Sequence, residues 1–435
     1  MDKYSSYKDS GVQWIGQIPS HWEVKHLRNF LTIFSEKGFD NAQLLSVTRE
    51  KGVILRDRDD KEENHNYVPD DLSGYKHLMS GDFVINKMKS WQGSYGVSKY
   101  EGIVSPAYFT CKLRGVDPQF FSQAIRSKAY IGFFMQYSKG IRVDQWDLDP
   151  SSMKDIPFIL PPLDEQKKIV PYLNAATAKI DEAIAQQQRM IDLLNERKQV
   201  IIDKAALHGL NSDVEMVDSG NDWIGQVPAH WKKNKFRYLF KTRTGITFTK
   251  DQLEDEGEPV ISYGQIHSKD NWGASVNPEL IRHISASLTK GKDGALAVPG
   301  DFLFADTSED FEGCGNNVFV DSEPVYAGYH TILAKKNNEE YGPYLAYLFT
   351  STGWRGQLRS MVNGVKVYSI TQTILNSANV VLPPVDEQKA IADYITERVV
   401  KLDEGVKRHK EYIKVLQERK QIIINDVVTG KVKVF

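Results

Sequence analysis

One stretch of this chain occurs twice, and each copy runs into a long heptad. The first copy is Leu160-Pro161-Pro162-Leu163-Asp164-Glu165-Gln166-Lys167-Lys168-Ile169, the second Leu382-Pro383-Pro384-Val385-Asp386-Glu387-Gln388-Lys389-Ala390-Ile391. Eight of the ten positions are identical, 222 residues apart. Beyond Ile169 and Ile391 a mostly apolar frame recurs in alternating steps of four and three: Leu173, Thr177, Ile180, Ile184, Gln187, Ile191, Leu194, Lys198 and Ile201 in one copy, Ile395, Val399, Leu402, Val406, His409, Ile413, Leu416, Lys420 and Ile423 in the other. That spacing is a coiled-coil seam. Polar interruptions match as well, Gln187 with His409 and Lys198 with Lys420. A helix of about 40 residues is roughly 60 Å long. With a single apolar stripe it needs a partner, and the expected partner is its own copy.

A second repeat stands ahead of the first. Asp9-Ser10-Gly11 and Trp14-Ile15-Gly16-Gln17-Ile18-Pro19-Ser20-His21-Trp22 return as Asp218-Ser219-Gly220 and Trp223-Ile224-Gly225-Gln226-Val227-Pro228-Ala229-His230-Trp231, 209 residues on. The intervening variable stretch is therefore 13 residues longer in the second half. A two-copy period this long is a duplication, not a solenoid. Short β-rich runs punctuated by Gly, Asn and Asp, such as Asp82-Phe83-Val84-Ile85 and Asp301-Phe302-Leu303-Phe304, make the variable stretches mixed α/β. Helical segments are expected at 118–136 and 343–359. A Gly turn with a cation follows each, Lys139-Gly140-Ile141-Arg142 and Asn363-Gly364-Val365-Lys366. Asp164 and Asp386 are the expected helix N-caps. The reading divides the chain into a domain at 1–160, a helix at 161–210, a second domain at 211–382 and a C-terminal helix at 383–435.

Composition sets limits on function. Lys plus Arg number 55 against 57 Asp plus Glu, a net charge of −2, so any nucleic-acid surface must be local. Two cysteines, Cys111 and Cys314, do not make a disulfide framework and fit a reducing cytoplasm. The sequence has no signal-peptide pattern and no apolar run of membrane-spanning length. Phosphate-binding glycine loops, H-E-x-x-H and C-x-x-C are absent. The mixed-charge run at 57–63 reads as a solvated loop rather than a metal site. The expectation is a non-catalytic chain.

Similar domains carrying different loops suit the reading of two different short sequences. Such readers need donors and acceptors at base edges and cations at phosphates. The candidates are Lys87, Lys89, Trp91, Gln92, Lys139 and Arg142 in the first half, and Thr247, Thr249, Tyr263, Gln265, His330 and Lys366 in the second. Trp14, Trp22, Trp223 and Trp231 are expected to be packed structural corners. Gln187 and His409 are expected to fix the register of the helix pair.

The doubled Trp-Ile-Gly-Gln-x-Pro-x-His-Trp, the doubled Leu-Pro-Pro-x-Asp-Glu-Gln-Lys, and Glu196-Arg197-Lys198-Gln199 with its copy at Glu418 together resemble the specificity subunit of type I restriction-modification systems. The resemblance covers the whole chain. It implies two target-recognition domains of α/β (α+β) class, related by pseudo-two-fold symmetry, each reading half of a split, asymmetric DNA site. It implies an antiparallel pair of long helices between them that acts as a ruler. The implied partners are double-stranded DNA, two modification (methyltransferase) subunits and restriction subunits. S-adenosylmethionine, ATP and Mg2+ would be held by those partners and none by this chain. The competing reading is a coiled-coil scaffold without DNA recognition.

Overall fold

The computed structural model describes residues 2–57, 68–69, 71–140, 146–337, 339–362 and 367–435. Arg142, Lys366 and most of the mixed-charge run at 57–63 lie outside them. By contact the chain divides into two compact units, Met1–Gln188 with Glu411–Phe435, and Arg189–Lys410. The two long helices, Leu163–His208 and Val385–Val428, are 46 and 44 residues long, and each unit contains part of both.

In the first unit a four-stranded antiparallel sheet runs Leu31–Phe34, Phe109–Leu113, Phe83–Ile85, Tyr95–Val97. The second unit repeats that order with Phe240–Thr244, Thr331–Lys336, Phe302–Ala305 and Asn317–Phe319. The repeated Gly-Asp-Phe explains the shared third strand. Gly81 and Gly300 turn with φ of +95° and +104°, a conformation that strains other residues. Asp82 then accepts from the Met79 amide and Lys112 Nζ, while Asp301 accepts from the Val298 and Lys336 amides. The domains diverge beyond this sheet. The second unit builds a five-stranded sheet, with Glu258–Ile261 and Val325–Ala327 as its parallel pair. The first has two antiparallel pairs instead, Leu45–Thr48 with Gly52–Leu55 and Lys76–Leu78 with Gly102–Val104, joined by one parallel bridge between Leu44 and Ile103.

Each domain closes on its helices in the same way. The strand after the front motif pairs with the strand before the prolines: Glu23–His26 with Pro157–Leu160, and Lys232–Lys235 with Asn379–Leu382. The Glu-Gln dipeptide then holds domain to helix. Glu165 takes hydrogen bonds from Trp22 Nε1 at 2.8 Å and Tyr4 Oη at 3.2 Å, and meets His21 Nε2 at 2.6 Å. Glu387 repeats this with Trp231 Nε1 at 3.1 Å and His230 Nε2 at 2.8 Å. Burial, and then the Glu165 charge, push the Tyr4 phenol well up, so it stays a donor. Gln166 and Gln388 are buried. Each accepts from the backbone N–H that begins a domain helix, Asp117 and Tyr341, at 2.8 Å, and donates to the carbonyl of Pro161 or Pro383.

The two helices pack antiparallel within each unit. Lys198 reaches Asp403 at 2.7 Å in the second unit, and Lys420 reaches Asp181 at 2.6 Å in the first. These bridges are copies of one another under the 222-residue offset. Ile169, Leu173, Val427 and Val428 join the first unit's core; Ile202, Leu207, Ile391 and Ile395 join the second's. Gln187 is half-buried on the first unit's share of one helix, and His409 is half-buried on the second unit's share of the other.

Three local expectations need correction. The long helices start earlier than the aspartates: the Pro162 and Pro384 carbonyls accept the first helical bonds. Asp164 and Asp386 stand in the first turn, where a carboxylate still complements the helix dipole. The segments at 118–136 and 343–359 are each two helices, Pro118–Ile125 with Lys128–Gln136 and Gly342–Thr350 with Thr352–Met361. A serine interrupts each: Ser351 caps the second helix of its pair by accepting from Trp354 N, and Ser127 occupies the matching place. Of the four tryptophans, Trp22 and Trp231 are buried, but Trp14 and Trp223 remain 49% and 54% exposed. Their rings rest one face on a neighbour, Trp14 on Phe133 and Trp223 on Gly356.

Candidate nucleic-acid interface

In the first unit, the loop after strand Phe83–Ile85 meets the small ladder of Ser138–Lys139 with Asp147–Leu148. The junction is held by Leu148 N donating to the Lys87 carbonyl at 3.1 Å and by Ser90 Oγ against Ser138 Oγ at 3.2 Å. This brings together Lys87, Lys89, Trp91, Gln92 and Lys139. Lys87 pairs with Asp147 at 2.9 Å, and Lys139 lies opposite that residue in the ladder. Lys89 is exposed. Trp91 packs edge-on against Trp146, and its buried Nε1 has no partner among the described residues. Beside it, Met88 is 55% exposed, so a cationic patch carries an apolar centre.

In the second unit the corresponding surface is polar and aromatic. The loop carrying exposed Thr247 and Thr249 is tied down by Gly245 N to the Thr331 carbonyl and Ile246 N to the Ala327 carbonyl. A side chain at Gly245 would collide with the Gly328 carbonyl, 2.1 Å from its Cβ. Thr249 Oγ donates to Gln252. Tyr263 meets Tyr329 and His330 edge-on, with ring centres 6.2 and 5.5 Å apart. Gln265 turns its carbonyl back to the Ser262 N–H, which leaves its amino group as the outward donor. His330 sits at φ +54°, the one non-glycine positive φ among the described residues, and bonds Asp306 at 2.9 Å.

The two surfaces share a backbone frame. Lys87 and Asp306 each stand five residues after the aspartate of the repeated Gly-Asp-Phe, just past equivalent strands. Each offers its carbonyl to a residue 222 positions apart from the other's, Leu148 at 3.1 Å and Ile370 at 2.8 Å. Their side chains have opposite charge. The same frame thus presents a cation in one unit and a carboxylate–histidine pair in the other. Asp147, Trp146 and Asp306 were absent from the sequence candidates. Only Asp306 left a signal, its place shortly after the repeated Gly-Asp-Phe. Among the described residues, no group of three or more His, Cys, Asp or Glu is placed to hold a metal ion. Nor is any helix there long and apolar enough to cross a membrane.

Residues 228–411 match the type I restriction modification DNA specificity domain. Over nearly its whole length the chain is similar to specificity subunits of type I restriction enzymes. It is 24% identical over 455 residues to a Methanocaldococcus jannaschii protein assigned as the MjaX specificity subunit of a type I restriction enzyme, covering 97% of this chain and 96% of that one. It is 22% identical over 400 residues to the specificity subunit of the type I restriction enzyme EcoKI from Escherichia coli, covering 86% and 82%. Its fold is similar to a solved chain from work on complex assembly and conformational transition of the type I R-M system, with TM-score 0.63 at 15% identity, covering 95% and 99%.

Proposed function

We propose that each unit reads one half of a split, asymmetric DNA site, and that the long helices set the spacing and dock two modification subunits. The observation that carries this reading is the shared frame with unlike chemistry, Lys87–Asp147 against Asp306–His330. Equal frames suit one mode of approach to DNA, while unequal donors and acceptors suit unequal half-sites. In the first unit Lys89 and Lys139 serve phosphates, and Gln92 serves a base edge. In the second, Thr247, Thr249, Tyr263, Gln265 and His330 form the reading surface. Arg142 and Lys366 complete the two sets on sequence grounds. Gln187 and His409 help to fix helix register.

The docking role is supported by a second apolar stripe on the helices. Met190, Leu193 and Val200 are 42%, 56% and 63% exposed, and their counterparts Tyr412, Val415 and Ile422 are 50%, 56% and 58% exposed. An exposed stripe repeated at the same offset suits two copies of one helical partner. Restriction subunits would join that complex. S-adenosylmethionine, ATP and Mg2+ belong to the partners, and the site of action is the cytoplasm, where the DNA is. Mapping methylated adenines in cells that carry this chain with a modification subunit tests the proposal. The expected result is a bipartite motif with a fixed spacer that disappears with the chain. Methylation at contiguous sites, or methylation independent of the chain, overturns it.

A further inference from the structure

The second unit contains a polar pocket of about 180 Å³ between the helix Tyr263–Ile266 and the loop at 313–317. Asn271, Trp272, Asn316, Asn317 and Arg355 line it. Asn317 is only 3% exposed. Its Nδ2 donates to the Gly315 and Phe349 carbonyls, both at 3.3 Å. Turning the amide over would set its oxygen against two carbonyl oxygens, so the assignment is fixed by the network. Its Oδ1 is then buried with no donor among the described residues. A buried acceptor without a partner is costly and calls for an explanation. Arg355 donates from Nη2 to the Glu312 carbonyl and to Asn316 Oδ1, but its buried Nε has no partner there either. Desolvation, then the neighbouring Arg359, push the guanidinium down to about 10, which leaves it cationic at neutral pH. Trp272 lines the pocket with 59% of its surface exposed.

The ligand must therefore donate to Asn317, accept from Arg355 and offer a flat face to Trp272. A phosphodiester or carboxylate supplies acceptors only and leaves Asn317 unanswered. At about 30 Å³ per water, the volume corresponds to roughly six waters, a space on the scale of one heterocyclic ring. The pocket is also continuous with the reading surface. Tyr263 meets His267 edge-on at 6.2 Å, His267 Nδ1 accepts from Asn316 at 3.1 Å, and Asn316 accepts from Arg355 at 2.6 Å. His267 Nε2 donates to the Thr307 carbonyl at 2.8 Å, which fixes that tautomer. A base edge inside an intact stack cannot reach an amide as deep as Asn317.

We infer that this pocket receives one nucleobase swung out of the duplex bound by the second unit, with a base N–H donating to Asn317 Oδ1, a base acceptor taking Arg355 Nε–H, and Trp272 stacked on the ring. The inference rests on the reading of the chain as a DNA-recognition subunit. An extruded base gives up its stacking and pairing, which a stacking platform and two charge- or amide-based hydrogen bonds offset. The same chemistry could come from the base of a free nucleoside, and the test separates the two sources.

The full chain is titrated, by fluorescence anisotropy, with duplexes that carry one unpaired nucleotide or one abasic residue, stepped along the second half-site. At one position the unpaired base should bind about tenfold tighter than the abasic residue, the scale of one base–aromatic stack. Asn317→Leu and Trp272→Ala should each abolish that preference and leave binding of the abasic duplex unchanged. Because Trp272 is exposed, its variant tests the pocket even where Asn317→Leu fails to fold. Equal affinity for base and abasic duplexes at every position overturns the inference, as does a preference that survives Trp272→Ala. Saturation-transfer NMR with adenosine, cytidine, guanosine and thymidine supplies the second arm. Nucleoside binding without any unpaired-base preference would make this a nucleoside site and overturn the extruded base. Failure to bind any duplex would instead overturn the DNA-recognition reading.

Discussion

The Glu165 carboxylate should be the most damaging single truncation at the junction of domain and helix. Glu165→Ala removes the acceptor for two buried donors, Trp22 Nε1 and Tyr4 Oη, whose residues are 0% and 9% exposed. Each orphaned buried donor costs about 1–3 kcal/mol, and partial relaxation places the sum at about 3–4 kcal/mol. The contact with His21 adds little, because that side chain is 46% exposed. Glu387 serves one buried donor, Trp231 Nε1, and its own side chain is 28% exposed, so water can replace it. Glu387→Ala should cost about 1–2 kcal/mol. For units of this size 1 kcal/mol moves Tm by about 2–4 °C, so Glu165→Ala should lower the first unit's transition by roughly 6–16 °C. Calorimetry and urea titration of the full chain measure both. Pairing Glu165→Ala with Trp22→Phe removes donor and acceptor together, and the double variant should be less destabilised than the sum by about 1–3 kcal/mol. Coupling below about 0.5 kcal/mol, or a larger loss from Glu387→Ala than from Glu165→Ala, would refute the view that these carboxylates act as hydrogen-bond hubs.

Lys89→Ala and Lys139→Ala should weaken DNA binding for all sequences and flatten the slope of log affinity against log salt by about one unit each; a change in sequence preference with an unchanged slope would reverse the assignment. Gln92→Ala should instead cost about 1–3 kcal/mol at one base pair, read by competition binding. A fragment of residues 1–210 holds both Asp181 and Lys198, one partner from each interhelical bridge; it should dimerise through its helix, as light scattering would show, and a folded fragment that stays monomeric at tens of micromolar (a concentration where such helix pairs associate) counts against the pseudo-two-fold design. Burial pushes the Cys111 thiol up to about 12, and it pushes Cys314 up as well. Neither should react with Ellman's reagent in the native chain at pH 8. Because the folded Cys111 pKa is the higher one, its contribution to stability should hold below about 9 and be lost as pH rises from there toward 12.

Some of this architecture is written in short-range pattern and some is not. The long helices were legible because a seam is periodic: Ile169, Leu173 and Ile180 need only their spacing to define an apolar stripe, and their copies at 222 residues' remove name the partner. The two domains were legible because duplication repeats Trp-Ile-Gly-Gln and Gly-Asp-Phe in order. What Glu165 and Gln166 do was not legible, since their partners Trp22 and Asp117 lie 143 and 49 residues away. The proposed reading surface shows the same limit. Lys87 and Lys89 stood out as cations beside Trp91 and Gln92, but the 60-residue reach from Lys87 to Asp147 has no local signature. The pocket of Asn317 and Arg355 is assembled from a strand, a helix and two loops, none distinctive alone. Periodicity and turn chemistry are properties of neighbours along the chain, so sequence carried them. Which loops meet, and which polar atoms are left buried without a partner, depends on the strand order of a sheet, and only the tertiary structure decided that.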